Sequence, residues 1–459
     1  MTATTNPRDV RPAIAPPGPF IPPPPAAFEM AAGARGLIHE RHELPLVRVQ
    51  LLLQGGGAAD PVDQAGLGDL AATLLKEGAG DCDAVAFAEA LDALGASFSV
   101  GASADATALH LAVLKKHLKP AMNLLLDALL RPRFDAAAFA RVKAQTIGAL
   151  RQRNEQPQAA ASLAAVRTLF GEGHPLGRAV DGSPESVERL ALADVKARWA
   201  AAAAAPLSVL ATGDVAPDEL RALLDPALEA RARSASGAPP RVGSTPAQRG
   251  PTLRTTFVDR PGAPQSVIFF AWPGPGYADP ERLAFASAVS VFGGSFTSRL
   301  NANLREKHGF TYGARARGDY YRGAEKPAEG PGLVTASAAV NAEHTGAAVR
   351  EFLREFDRMR AGDIVADEVE KARAGIRNGR VYGCETLEGQ MGELTLISTF
   401  DLPLDRSARD LARLEALTVA DVNAAARRLL PPDGGVLVVA GARAAAEPQL
   451  RALDLPLVF

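Results

Sequence analysis

The hydrophobic residues of this chain follow strand spacing and helix spacing in a mixed order. Short apolar runs that stop near a glycine or proline predict buried strands at Val49–Leu53 and Ser266–Trp272. Apolar residues at helical spacing predict helices at Gln64–Lys76, Lys119–Leu130 and Asp135–Asn154. Because strands and helices do not alternate strictly and some strands are joined as hairpins, the order favours an α+β layered fold over a doubly wound parallel sheet.

The same spacing predicts the other elements of the first half. The segment Phe28–Glu43 predicts a hairpin with its turn near Ala32 and Gly33. The remaining predictions are helices at Ala84–Leu94, at Ala159–Phe170 and from Asp194 onward, and strands at Ala96–Gly101, Thr107–Val113 and Leu207–Leu210.

The second half repeats the order of the first. Asp194 and Asp421 stand in similar four-residue stretches and lie 227 positions apart (421 − 194), while Gly213 and Gly441 lie 228 apart (441 − 213). A near-constant offset of half the chain predicts an internal duplication. The second set comprises a helix at Pro280–Phe292, strands at Tyr312–Asp319 and Leu333–Val340, and helices at Ala347–Arg360 and Asp367–Arg380.

Composition divides the chain into two domains. Residues 1–27 are rich in proline and are predicted to form a disordered leader. Residues 28–230 and 254–459 are predicted to be the two homologous domains, joined by a linker at 231–253 that is rich in Pro, Gly, Ser and Ala. The leader contains no continuous apolar segment typical of a signal peptide, which favours a cytoplasmic location and leaves a periplasmic one open.

Charge and cysteine content exclude several classes of function. The net charge of −2 gives no basis for nucleic-acid binding, and no apolar run is long enough to span a membrane. The two cysteines, Cys82 and Cys384, are too few for a disulfide framework, and whether they bridge is left open. His39 and His42 are spaced like metal ligands on a helix, but their segment is predicted to be strand and loop, so a solvated loop is favoured.

The predicted helix at Gln64–Lys76 carries the most informative motif. Its stretch AGLGDLAATL resembles the helix of the pitrilysin/insulinase (M16) family of zinc peptidases, where an inverted His-x-x-Glu-His motif supplies two zinc ligands and a general base. The matching pentapeptide is DLAAT, so the chemical positions fall on Asp69, Ala72 and Thr73, and the position of the third ligand falls on Ala149. The resemblance therefore implies an M16 scaffold, of LuxS/MPP-like metallohydrolase type, without a zinc site.

A second motif in the other half is nearly complete. The segment GGSFTSRLNANLREKHGFTY, residues 293–312, resembles the M16 pattern of a glycine pair followed by SRLxxxLRExxGxxY. In that family the arginine and tyrosine reach the active site of the N-terminal half and hydrogen-bond the substrate backbone. The matching residues are Arg305 and Tyr312, and the resemblance implies that they bind substrate. The loop His174–Arg178 also resembles a family loop and is assigned no chemistry.

The resemblance covers residues 28–445 and implies the non-catalytic subunit of a heterodimeric zinc peptidase. Such a chain holds no cofactor, pairs with a homologue that bears the zinc motif, and helps to enclose an unfolded peptide. Two alternatives remain open: a structural or binding module of a larger complex, and an unusual hydrolase that uses Asp69 with other ligands.

Overall fold

The computed structural model describes residues 18, 20–234, 252–430, 434–453 and 455. The strands are β1 (Ala26–Glu29), β2 (Arg35–Glu40), β3 (Leu46–Gln54), β4 (Gly78–Ala79), β5 (Cys82–Asp83), β6 (Ser97–Ala102), β7 (Ala106–Leu114), β8 (Leu207–Gly213), β9 (Arg254–Asp259), β10 (Gln265–Gly274), β11 (Ala314–Tyr320), β12 (Gly332–Asn341) and β13 (Val436–Gly441). The α-helices of the first half are α1 (Leu67–Leu74), α2 (Ala84–Ala93), α3 (Leu118–Leu130), α4 (Ala136–Glu155), α5 (Pro157–Phe170), α6 (Pro184–Arg189), α7 (Leu192–Ala204) and α8 (Pro217–Ser234). Those of the second half are α9 (Arg282–Val289), α10 (Thr345–Ala361), α11 (Ala366–Glu385), α12 (Leu387–Phe400), α13 (Arg406–Ala416), α14 (Val419–Leu429) and α15 (Arg443–Arg451).

The two large sheets share the topology of five strands, and the first has β1 as a sixth strand at its edge. The first has the order β1-β2-β8-β3-β7-β6 and the second the order β9-β13-β10-β12-β11. In each, a single parallel pair (β2 with β8, β9 with β13) sits beside antiparallel neighbours. The matching strand order confirms the predicted α+β class and the internal duplication.

Each central strand is buried on both faces. In β10, Ile268 and Phe270 belong to the core that the second half builds with its own helices. The alternate residues Val267, Phe269 and Ala271 point to the opposite face, where they pack against α5 of the first half. Successive strand residues point to opposite faces, so one apolar run serves two separate cores.

The halves exchange one helix each. While α5 packs on β10 and β13, α12 of the second half packs on β8, β3 and β2 of the first. Polar contacts support the second exchange: Ser398 Oγ lies 2.8 Å from Ser208 Oγ, and Thr395 Oγ1 lies 3.2 Å from Oε1 of the buried Gln50. Each half therefore covers the outer face of its partner's sheet.

The glycine before α1 determines where this helix begins. Gly66 has φ +94°, and a Cβ there would lie 2.6 Å from the carbonyl oxygen of Asp181. A left-handed residue in so close a contact favours glycine and is not helical. Helix α1 therefore starts at Leu67, and Val62–Gln64 forms a separate 3₁₀ turn, so the predicted start at Gln64 is wrong.

Two other predictions need correction. The leader was predicted to extend to residue 27, but β1 begins at Ala26, and Pro22 and Pro25 are buried. The linker was predicted to begin at residue 231, but α8 continues to Ser234, and residues 235–251 lie outside the described part of the chain. Residues 1–17 and 19 lie outside it as well, so the rest of the leader stays a prediction.

Candidate functional site

The motif at residues 293–312 folds into two short π-helical segments, Ser290–Gly294 and Asn301–Lys307, followed by a turn into β11. The buried side chain of Asn301 holds these pieces together. Its Nδ2 donates to the carbonyl oxygens of Ser295 and Ala314, both at 3.0 Å, and its Oδ1 accepts from the amide of Ala314 at 2.8 Å. This residue, to which the sequence assigned no role, fixes the motif against the start of the edge strand.

The first arginine of the motif is structural. Arg299 is 8% exposed and forms ion pairs with Asp363 and Glu368, the second through hydrogen bonds of 2.7 and 2.6 Å. Burial opposes its charge, but the hydrogen bonds from both carboxylates outweigh that effect and raise the pKa of Arg299 above its ordinary value. Four of its five donors are thus used to tie the motif to α11 and the loop before it.

Arg305 is held differently. Its guanidinium carbon lies 4.2 Å from the ring centre of the exposed Phe296, which is cation–π distance. Its Nη1 is buried, lies 3.5 Å from the Glu306 carboxylate and has no hydrogen-bond partner among the described residues. The guanidinium is therefore positioned by a ring, and the side chain, which is 33% exposed, donates no hydrogen bond to a described residue.

Tyr312 is the most exposed large hydrophobic residue in the described part of the chain, at 95%. The hydroxyl of the preceding Thr311 donates to the Gly313 carbonyl at 3.0 Å and accepts from the Gly313 amide at 3.1 Å, which fixes the turn beneath the tyrosine. No hydrogen bond to the phenol is found within the described residues. Arg305 and Tyr312 thus lie on one motif without hydrogen bonds to described residues, and neither is shown to contact α1.

The four positions of the degenerate zinc site lie on α1 and α4, which pack together. Ala72 is fully buried and Ala149 is exposed, and neither methyl group can ligate a metal or act as a base. Only Asp69, with the weaker hydroxyl of Thr73, could bind a cation, whereas a catalytic zinc ion needs three protein ligands. No group of three or more His, Cys, Asp or Glu side chains that could hold a metal occurs among the described residues. The residues present do not fit zinc.

A buried ion pair supports the start of α1 instead. Arg198 Nε donates to Asp60 at 2.8 Å, and Asp60 accepts from the amide of Gly68 at 2.9 Å. The other end of Arg198 donates to the carbonyl oxygens of Gly55 and Gly56 at 3.2 and 3.0 Å. Asp60 and Arg198 are 138 positions apart in the chain, so the local sequence pattern gives no sign of their ion pair.

The loop His174–Arg178 contributes to the same support. Leu176 is buried, and the Arg178 guanidinium donates to the carbonyl oxygen of Pro61 at 2.9 Å. The loop is therefore a packed structural contact beside the degenerate site.

Comparison with known proteins identifies the scaffold. A family model described as insulinase (peptidase family M16) matches residues 37–180, and one described as the peptidase M16 inactive domain matches residues 203–376. The chain belongs to the M16 peptidase family.

M16 relatives with different names are similar to this chain over most of its length. A protein of Helicobacter pylori named non-peptidase homolog YmxG is 25% identical over 84% of this chain and 87% of its own. An uncharacterized zinc protease of Mycobacterium tuberculosis is 27% identical over 81% and 83%, respectively.

Solved structures agree with the fold. The crystal structure of a peptidase M16 inactive domain from Pseudomonas fluorescens has a TM-score of 0.82 and 25% identity, covering 91% of this chain and 98% of that one. A chain of complex III from Candida albicans, at 14% identity and a TM-score of 0.75 over 94% and 100% of the two chains, shares the fold alone. No described helix is long and apolar enough to cross a membrane.

Asp69, which occupies the first zinc-ligand position of the M16 motif, predicts a pH-dependent stability. Burial, with added repulsion from Asp181 and Asp60, raises its pKa to about 6. The native state then binds this proton more tightly than the unfolded chain, so the free energy of unfolding falls as pH rises from about 4 to about 6 and is level above that range.

Replacing Asp69 by Asn removes this penalty. We expect Asp69→Asn to raise the free energy of unfolding near pH 7 by on the order of 2 kcal/mol, and the gain to vanish near pH 4. Urea unfolding at several pH values measures it. A gain of equal size at both ends of the pH range would show that the carboxylate charge is not the cause.

The histidines and cysteines of interest do not come together. His42 Nδ1 lies 2.7 Å from the Asp214 carboxylate, whose hydrogen bond raises the pKa of His42, while His39 is half-buried and burial lowers its pKa. Cys82 and Cys384 are both free thiols. His39 lies within β2 and His42 in the loop that follows it, so the predicted strand and loop for this segment are confirmed.

Proposed function

We propose that this chain is the non-catalytic subunit of a heterodimeric M16 peptidase and supplies Arg305 and Tyr312 to the active site of a zinc-bearing partner. The observation that carries the proposal is a contrast between the halves. The first half lacks side chains that fit zinc, whereas the second carries the exposed phenol of Tyr312 and the partly exposed guanidinium of Arg305 on one motif, neither hydrogen-bonded to a described residue.

The chemistry of the two side chains supports this role. A guanidinium and a phenol both donate hydrogen bonds, and both can orient a peptide carbonyl. Donors that are fixed before the reaction stabilise the negative charge that develops on that oxygen. The Asn301 contacts and the Phe296 ring supply the fixed geometry for Arg305.

The proposal also includes a role for the first half, which lacks the zinc site. With α1 anchored by Asp60 and Arg198, the M16 scaffold is retained without its chemistry. In the heterodimer this half would form part of the wall around an extended, unfolded peptide, and zinc would be bound by the partner subunit.

Co-purification with a zinc-motif homologue encoded nearby tests the proposal. We expect cleavage of an unfolded reporter peptide from the mixture, little from either chain alone, and stoichiometric zinc only in the partner. Activity of the partner alone at the level of the pair would contradict the proposal. Cleavage by this chain alone, with bound metal, would favour the unusual-hydrolase alternative.

A binding module without a role in proteolysis is the second candidate. The relative named as a non-peptidase homolog favours it. It predicts a stable complex with unrelated subunits and no dependence of any peptidase on this chain, which affinity purification of the tagged full-length protein would show.

A further inference from the structure

The outer edge of β9 has no strand beside it in the described part of the chain. In the second sheet β9 pairs with β13 and stands at the edge. Its counterpart in the first sheet, β2, has the same kind of parallel neighbour, β8, but its other edge pairs antiparallel with β1. The duplication therefore leaves an edge open in the second half that the first half covers with a strand.

The register of β9 shows which backbone groups this edge offers. The amide of Arg254 donates to the carbonyl oxygen of Gly435 at 3.1 Å, beside the start of β13. Because alternate residues of a strand face the same neighbour, the residues between them turn their N–H and C=O groups to the open edge. These residues are Thr255, Phe257 and Asp259, and their backbone groups form no hydrogen bond with any described residue. Such an edge is a template for an added strand.

A groove of about 650 Å³ lies beside this edge, between β9, α5 and the segment that contains α6. Val258 of β9 and Leu163 and Ala164 of α5 give it an apolar surface. Val258 packs on the α5 face of the sheet, so a strand added to β9 would turn every second side chain toward the groove. Neither Arg305 nor Tyr312 lines it.

The side chains that line the groove carry an excess of positive charge, five arginines against Glu172 and Glu185. Three of the arginines have carboxylate partners. These pairs are Arg153 with Asp181, Arg167 with Glu172, and Arg260 with Glu155.

The other two arginines, Arg178 and Arg189, form no ion pair in the described structure. They donate to backbone carbonyl oxygens, with the shortest bonds 2.9 Å to Pro61 and 3.2 Å to Asp63. Neither side chain is buried, and a carbonyl oxygen does not neutralise a guanidinium charge. The groove is therefore complementary to acidic side chains.

We propose that the edge of β9 and this groove bind an extended acidic segment of a partner protein as an added strand. Its backbone would pair antiparallel with Thr255, Phe257 and Asp259, as β1 pairs with β2, and its acidic side chains would lie toward Arg178 and Arg189. In strand addition the main-chain hydrogen bonds supply affinity and the alternate side chains supply specificity. This site does not depend on the proposed partnership with a zinc peptidase.

Fluorescence anisotropy on the full-length protein tests the proposal with the labelled, end-capped octapeptide TEVEVEVT. We expect saturable binding of this probe and at least tenfold weaker binding of the basic analogue TKVKVKVT. The analogue TEVEPEVT keeps all three acidic side chains but interrupts the strand, and it should also bind at least tenfold more weakly. Absence of binding by TEVEVEVT overturns the proposal, as does equal binding of either analogue.

Two substitutions at Phe257 separate the backbone edge from the side chain. Phe257→Pro and Phe257→Ala both remove the ring, but only proline removes the outward N–H, and the pairing with β13 uses other residues. We expect at least tenfold weaker peptide binding by Phe257→Pro than by Phe257→Ala. Equal affinities of the two variants overturn the proposal.

A charge reversal tests the groove without altering the strand. Arg189→Glu should weaken binding of TEVEVEVT at least fivefold. The matched control is Arg151→Glu, at an exposed arginine of α4 that does not line the groove, and it should leave the affinity within twofold. Unchanged affinity in Arg189→Glu overturns the proposal.

Hydrogen exchange at the Phe257 amide distinguishes the possible occupants of the edge. We expect rapid exchange in the free protein and protection when the acidic peptide is added. Protection in the free protein at every concentration would assign the edge to another segment of this chain. Protection that grows with protein concentration would assign it to a second copy, and either result overturns the proposal.

Discussion

Arg305→Ala in the proposed heterodimer is expected to lower kcat/KM for peptide cleavage by about 100-fold, the usual effect of removing one preorganised donor to a developing oxyanion. Tyr312→Phe, which removes only the phenol hydroxyl, is expected to lower it by about 10-fold or more. Both side chains are outside the core, and Tyr312 is 95% exposed, so neither change should weaken folding or assembly.

Matched variants elsewhere on the second half control for surface effects. Arg413 on α13 and Tyr382 on α11 are exposed, and Arg413→Ala and Tyr382→Phe should leave activity within about twofold. Arg305→Lys keeps the charge but loses the planar fork, so its activity should fall between those of Arg305→Ala and the native chain.

Peptide-cleavage kinetics and size-exclusion chromatography of each variant pair give the measurement. Full activity of Arg305→Ala in an intact heterodimer would rule out the donor role. Loss of activity together with loss of assembly would assign Arg305 to the interface instead.

Leu394→Ala is expected to lower the free energy of unfolding by about 2–5 kcal/mol, the range for a large buried side chain truncated in a core. Leu394 belongs to the second half but is fully buried in a cluster with Leu37, Leu52 and Leu210 of the first sheet. Because α12 covers that sheet, hydrogen exchange should accelerate in β3 and β8 although neither strand has been changed.

Urea unfolding followed by exchange mass spectrometry measures this effect. The halves should unfold in one transition, since each covers a face of the other. Leu44→Ala, at a leucine that is 60% exposed, is the control and should change stability by less than about 0.5 kcal/mol. Two separate transitions, with faster exchange confined to the second half, would show that the halves are independent.

The sequence predicted the elements whose patterns are local. The predicted strand Val49–Leu53 lies within β3, and the predicted helix Lys119–Leu130 coincides closely with α3. Both were predictable because burial in a sheet and burial of one helix face produce different spacings of apolar residues. The duplication was predictable for the same reason, since it repeats such elements in order.

The elements that the sequence did not predict are those whose residues contact partners far away in the chain. Helix α12 carries Thr395, Ser398 and Thr399, which are weak helix formers, and its place is set by the sheet of the other half. The support of α1 by Asp60 and Arg198 joins segments far apart in sequence. Neither contact could be read from spacing along the chain.

Arg305 and Tyr312 could be named from the motif, but their surroundings could not. Arg299 forms ion pairs with Asp363 and Glu368, whereas Arg305 makes a cation–π contact with Phe296. This difference depends on how α11 and the glycine pair approach each other. Two arginines in one motif thus differ in availability for reasons that only the tertiary structure contains.

The exchange of α5 and α12 also bears on how such a protein could arise from a single half. In each half, one apolar helix packs on the sheet of the other half and not on its own sheet. A single half would therefore expose both its apolar sheet face and its apolar helix, and only a second copy could cover them. Two such copies would therefore associate as a domain-swapped homodimer. Fusing their genes would make the association intramolecular, so that it no longer depends on protein concentration. Each half could then lose functional residues that the other half retained.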